Sequence, residues 1–449
     1  MLQISPFEAP SGIAEIISAE TGVQRGRPNM KRSRGAYMHG EQAREIIGIT
    51  PRGKIIYAAR GGAGASRQQS NPATSADANA AARAALFQQG FFSSIELPSQ
   101  PWVDGGSYTF DMPHAGIGLY CELRFTGTLT WTGANAPLLS SLAPFNLVQS
   151  AVFKDYLGNT RINAGGPTLH MVEALKKWMY SSDETANTQA DRAYPDAVAP
   201  GSNVPIGVFS PTGTTGVGVP YDFGIQIPFS FHEDTTVGTL PFTVPAGNNT
   251  LYVTLNPAVN PIFGTKNAES PLQANVSAPT VTLTGTVNVT YYFIDPLPGM
   301  PLPLMDFSQV YEIVDVRSTD NLSASATKQL LLPTGRTYQA LYGQLVNGGQ
   351  YQDNIAGVPV ISALRFLINE ATPTLQENYP SYLHRIRRTY GRDMIPGQMI
   401  WDLRARPISP SNYGSIALQM ILGNNFAPAG ETYFTLGKES LYVIQNQVY

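Results

Sequence analysis

The chain has one cysteine in 449 residues, so no disulfide can close within it. That residue, Cys121, falls on the apolar side of an alternating segment, where a thiol behaves as a small hydrophobe. Charge is also scarce, with Asp, Glu, Lys and Arg making up 14% of the chain. Few charges beside 42 Gly and 35 Pro fit a loop-rich β protein whose surfaces are covered by neighbours. No apolar run reaches the ~18 residues that a membrane-crossing helix needs. The first 22 residues contain Glu8, Glu15 and Glu20 but no Lys or Arg, which is not the layout of a signal peptide.

Signatures of chemistry are missing too. The five histidines, His39, His114, His170, His232 and His384, do not pair at metal-ligand spacing. His170 and Glu173 lie three apart on a predicted helix but lack further ligands, so an ordinary helix surface is expected there. There is no G-x-S-x-G elbow, and Gly61–Ser66 lacks the G-K-[ST] ending of a phosphate loop. The acidic pairs Asp183-Glu184 and Glu233-Asp234 are adjacent residues beside loops, which suits solvated turns better than glycosidase carboxylates. Sequons at Asn248, Asn275, Asn288 and Asn321 reflect a Thr/Ser-rich composition. No enzyme, metal or cofactor is expected.

What the chain does have is long two-residue alternation. From Ile117 to Trp131 the odd positions include Leu119, Cys121, Leu123, Phe125 and Leu129, while the even ones carry Glu122, Arg124 and Thr. Val281–Phe293 and Tyr221–Phe231 alternate likewise. A period of two sends successive side chains to opposite faces, so these are strands with one dry face, as in antiparallel sandwiches. Further strands are predicted at 107–112, 147–155 and 250–256. Beyond the proline-rich run Asp295–Pro303 they resume at 308–317, 326–332, 337–346, 359–368, 398–404, 413–422 and 432–444. Tyr156-Leu157-Gly158-Asn159 suits a hairpin turn. Helices are predicted at 75–89, at Pro167–Ser182 on the spacing of Leu169, Val172, Leu175 and Met179, and near Thr374–Tyr390.

These elements divide the chain into a basic arm with short helices over 1–90, a β half over 91–295, a connector over 296–304 and a second β half over 305–449. Each half places a helix among its strands. Two consecutive eight-stranded jelly rolls fit better than an immunoglobulin-like pair.

Charge is unevenly spread. Residues 1–22 carry −3 and residues 23–67 carry +8, which leaves −8 for the rest of a chain of net charge −3. The arm's bases begin with Arg25, Arg27, Lys31, Arg32 and Arg34, a pattern open to a solvated tail, to anionic lipid or to nucleic acid. A second group, Arg385, Arg387, Arg388, Arg404 and Arg406, suits salt bridges, including bridges between subunits.

Several stretches in order resemble the double jelly-roll major capsid proteins of tectivirus-type bacteriophages. They are Phe145-Asn146-Leu147-Val148-Gln149 before the Leu169–Trp178 helix, Leu302–Tyr311 after the prolines, Asn347-Gly348-Gly349, and Arg385–Arg388 leading to Trp401–Ile408. The resemblance covers roughly residues 85–449. It implies a homotrimer forming pseudo-hexagonal capsomers of an icosahedral shell. Its partners would be neighbouring capsomers, penton and minor capsid proteins, and an internal lipid membrane beneath the arm. The virion, assembled in the host cytoplasm, would be its location. An arm of about 70 residues is longer and more basic than the family pattern, which leaves membrane, neighbour and genome contact open. The competing reading is a carbohydrate-binding or receptor-binding jelly roll, spike-like or lectin-like, with Tyr180, Tyr194 and Phe209 as scattered aromatic candidates. A polysaccharide-degrading sandwich lacks a separable acid/base pair.

Overall fold

The computed structural model describes residues 44–49, 55–59, 86, 90–132, 137–140, 143–180, 216–231, 237–239, 241–243, 247–260, 268–273, 280–295, 309–369, 372–390, 394 and 396–443. Two compact units divide at Thr74 and Ser75. In the first, Arg44–Ile49 and Ile55–Ala59 pair as an antiparallel hairpin. The sequence reading expected this stretch to be extended arm. Its β-branched runs, Ile46-Ile47 and Ile55-Ile56, favour strand pairing.

In the second unit the strands of the first half are β1 (Phe91–Glu96), β2 (Ser107–Asp111), β3 (Ile117–Thr132), β4 (Val148–Lys154), β5 (Thr160–Ala164), β6 (Gly216–Pro228), β7 (Thr250–Leu255) and β8 (Thr280–Asp295). They form two sheets, ordered β1-β8-β3-β6 and β2-β7-β4-β5. The second half supplies β9 (Gln309–Ser318), β10 (Thr327–Leu331), β11 (Thr337–Asn347), β12 (Ile361–Ile368), β13 (Thr372–Asn378), β14 (Gln398–Asp402), β15 (Ile416–Leu422) and β16 (Tyr433–Val443). Their sheet orders are β9-β16-β11-β14 and β10-β15-β12-β13, the same plan advanced by eight strands. Each half is a jelly roll, and the fold is a double jelly roll.

The alternation sets which face is dry. In β3 the side chains of Cys121, Leu123, Phe125, Leu129 and Trp131 are buried in the core, while Arg124 and Thr128 lie in the open. Thr hydroxyls pair across the wet face, Thr126 with Thr286 at 3.1 Å and Thr128 with Thr284 at 2.9 Å. A bulge opposite Tyr292 and Phe293 turns the start of β3 over. Ile117 and Leu119 therefore leave the main core and pack with Leu86 and Ile294. Leu86 is the one described residue of the helix expected over 75–89, and it is helical.

The hairpin between β4 and β5 forms where Tyr156–Asn159 predicted it. Asp155 explains it: its carboxylate accepts from the Leu157 and Asn159 amides at 3.0 and 2.8 Å and pairs with buried Arg161. Helix α1 (Gly166–Tyr180) follows β5, and α2 (Tyr379–Tyr390) follows β13. The predicted start of α2 near Thr374 is corrected, because 372–378 pairs along β12 as a strand. Asn378 accepts from the Ser381 amide at 2.9 Å and so caps the helix, and Pro380 suits a first turn.

The two rolls are not two beads. Ile162 and Asn163 of β5 pair in parallel with Ile313 and Val314 of β9, so one sheet runs through both halves. A single cluster of buried apolar side chains extends from Tyr108 to Leu436. In each roll the first and last strands of the chain are antiparallel neighbours, and β9 runs parallel to β5. The chain therefore enters and leaves each roll at one end, where Phe91 lies beside Asp295 and Gln309 beside Val443.

Candidate functional site

The most constructed region of the chain is the junction between the rolls. One face of the β9-β16-β11 sheet points into the second roll, where Leu341 sits beside Trp401. The other face carries Tyr311, Asp315, Tyr342, Gln344 and Glu439, and the first roll covers it. Glu439 is fully buried. Its carboxylate accepts from the Tyr311 hydroxyl at 2.7 Å, from the Tyr342 hydroxyl at 2.6 Å and from Arg404 Nη2 at 3.2 Å. Burial alone would raise the Glu439 pKa. Arg404, Lys176 of α1 and the two hydroxyls outweigh it and hold the carboxyl below its usual range. Burial, and then the neighbouring carboxylate, push both phenols well up, so they remain donors. Lys176 Nζ lies 5.2 Å from the Tyr311 ring, and the Arg404 guanidinium 5.8 Å from the Phe231 ring, so both rolls contribute to the network.

Close backbone approach lets the two rolls meet. The Tyr311 amide donates to the Gly238 carbonyl at 2.9 Å. Gly238 has φ +82°, and a Cβ there would stand 2.5 Å from Tyr311 Cβ. At Gly437 a Cβ would stand 2.5 Å from Thr168 Cγ2 of α1.

Asp315 of β9 meets the start of α1, accepting from the Gly165 amide at 2.8 Å. A carboxylate at a helix N-terminus is favourably placed. Part of the residue's surface is exposed, but its Oδ1 lies out of water. Burial raises the pKa to about 6 against the opposing help of Gly165, Thr168 and Lys438. Gln344 donates to Thr168 at 2.7 Å. A cleft of about 170 Å³ opens here between the rolls, bordered by Asn163, Asp315, Gln344 and Tyr351.

The predicted Arg group separates in space. The Arg404 side chain is 6% exposed, and its carboxylate partner, Glu439, lies inside its own chain. At this position the bridge is made within the chain, because the β16 strand brings Glu439 to Arg404. Arg385 makes a two-pronged bridge to Glu377 of the same chain, with both Nε–Oε1 and Nη2–Oε2 at 2.9 Å. Arg387, Arg388 and Arg406 are exposed. The arm residues Arg25, Arg27, Lys31, Arg32 and Arg34 lie outside the described residues, as do Tyr194 and Phe209; nothing is described of the Tyr180 side chain.

Sequence reasoning missed the role of His170. It is 1% exposed and stacks on Phe145 at 3.8 Å, so the helix-surface expectation is corrected. The apolar stripe Leu169, Val172 and Leu175 wraps far enough round α1 to bury it. Glu439 and Asp315 were also missed, because each shares its strand with other charged residues, Lys438 in β16 and Glu312 and Arg317 in β9. Among the described residues, no group of three or more His, Cys, Asp or Glu could hold a metal ion.

No family model matches the chain, and no curated protein matches it. Solved structures do. The chain is similar to the crystal structure of the STIV MCP, of Sulfolobus Turreted Icosahedral Virus, at 16% identity and TM-score 0.56, over 79% of this chain and 97% of that one. It is similar to PBCV-1 VP54, fitted into a reconstruction of the virophage Sputnik, at 13% identity and TM-score 0.52, over 78% and 94%. The PBCV-1 virus capsid follows at 14% and 0.50, over 78% and 94%. At these identities the likeness is one of fold.

Proposed function

We propose that this chain is the major capsid protein of an icosahedral virus, of the tectivirus type, and that three copies form a pseudo-hexagonal capsomer. One observation carries the reading: two rolls of identical strand plan are fused through a continuous sheet into one rigid tile. Three two-roll tiles give six similar columns under ordinary three-fold closure, which suits a hexagonal lattice. The solved structures of like fold are capsid proteins, which supports the same role here and does not favour a lectin-like one. Partners on this reading are neighbouring capsomers, penton and minor capsid proteins. The site of action is the virion, after assembly in the host cytoplasm. Light scattering of the purified protein should give three times the 48.5 kDa chain mass. A monomer at high concentration would reject the reading.

The proposal places residues 1–90 on the inner face as an arm, with 296–304 as the connector between rolls. It is supported by the single end at which the chain enters and leaves each roll. The bases from Arg25 to Arg34 then face an internal membrane or neighbouring subunits. Deleting residues 1–70 should abolish salt-sensitive binding to anionic liposomes while leaving trimers intact. Binding that survives the deletion would remove the membrane role.

A further inference from the structure

The step from the first roll to the second can be taken again. Each roll has a helix after its fifth strand, and the fifth strand of the first roll, β5, lies along β9, the first strand of the second. Ile162 and Asn163, four and three residues ahead of Gly166 at the start of α1, meet the fifth and sixth residues of β9. This contact buries the outer face of the β9-β16-β11 sheet, where Tyr311, Tyr342 and Glu439 are each no more than 2% exposed.

The matching face of the first roll, on β1-β8-β3-β6, is open around Arg124 and Asp222 among the described residues, while at its end Ile117, Leu119 and Ile294 are covered by Leu86. Arg124 and Asp222 pair there with side chains 53% and 41% exposed. Among the described residues the corresponding edges are also open: β1 borders only β8, and β13 borders only β12. On the β1 edge Phe91 and Phe92 are exposed, Phe92 at 62%, an unusual amount of apolar surface for a bare edge strand.

We infer that β13 and α2 of one copy dock on β1 and the outer face of the first-roll sheet of the next copy, repeating between chains the contact that β5 and α1 make within one. The inference rests on the capsomer reading and adds the surfaces that join it. Counting back from Tyr379 as from Gly166, residues 375 and 376 of β13 lie in parallel beside Ile95 and Glu96, the fifth and sixth residues of β1. Charge agrees. His384, Arg387 and Arg388 are exposed on α2 at helical spacings of three and four, forming one basic stripe. Opposite, Glu96, Glu122 and Asp222 gather around Arg124, an acidic patch with an excess of two charges. The contact is head-to-tail, the kind that closes rings.

The test uses the full chain. Arg387→Glu/Arg388→Glu, and separately Glu96→Lys, should each raise the concentration of half-assembly by ~100-fold in light scattering, and combining them should recover at least ~10-fold of that. In the unaltered protein, amides of 91–96 and 372–378 should exchange slowly in the assembled form and faster after dilution to monomers. If the wild type forms trimers but the charge reversals leave assembly unchanged, or those amides ignore assembly, this interface is wrong and the capsomer reading stands. A wild type that never assembles removes both.

Discussion

Replacing Glu439 with leucine is expected to destabilise the chain by about 3–5 kcal/mol, among the largest effects a single substitution can have here. The carboxylate is fully buried and satisfies three donors at once: Tyr311, Tyr342 and Arg404. Without it, a guanidinium 6% exposed and two phenols keep their desolvation cost and lose their acceptor. The pair itself need not be strongly stabilising, since buried ion pairs often do no better than well-packed apolar groups. The double variant Glu439→Leu/Arg404→Met should therefore recover most of the loss. Urea unfolding followed by tryptophan fluorescence measures both. A single substitution costing under about 1 kcal/mol would show that water reaches the network, contrary to its burial.

Lowering the pH from 6 towards 4 is expected to stabilise the wild type relative to Asp315→Asn. Burial pushes the Asp315 carboxyl up to about 6 in the folded chain, above its ordinary 3.8. Below about 4 it is neutral in both states and its contribution is fully present. As pH rises, the unfolded chain ionises first, so stability falls until the folded carboxyl also ionises near 6, and then levels off. The shift of about two units corresponds to roughly 3 kcal/mol, and the open cleft beside the group trims this to roughly 2 kcal/mol. Asparagine keeps an acceptor for the Gly165 amide but does not titrate. Glu439 works in the opposite sense, its contribution fading in acid as its depressed carboxyl protonates. Because both proteins carry Glu439, the difference between their melting curves isolates Asp315. Parallel curves from pH 4 to 7 would reject the assignment.

Much of the fold was legible because long strands with one wet face write their period directly. The alternation over 117–131 ends within a residue of β3, and that over 281–293 within two residues of β8. Errors fell where local signals compete. Residues 374–378 continue into α2 without a Gly or a charge break, and only their pairing with β12 makes them strand. Strand β5 is too short for a period to show. The junction was illegible for a deeper reason. Asp315, Arg404 and Glu439 look like surface residues in sequence, and only the covering roll makes them interior. Single-sequence periodicity reports which face of a strand is dry, not which neighbour dries the other.

The β5–β9 seam also has a mechanical consequence. Hydrogen-bonded backbone and a locked polar core join the two columns, so the angle between them cannot flex cheaply. A closed surface tiled from such plates must take its curvature at the joints between molecules. On the proposed capsid role, those joints between molecules are where the shell would bend, and where it would first crack under load.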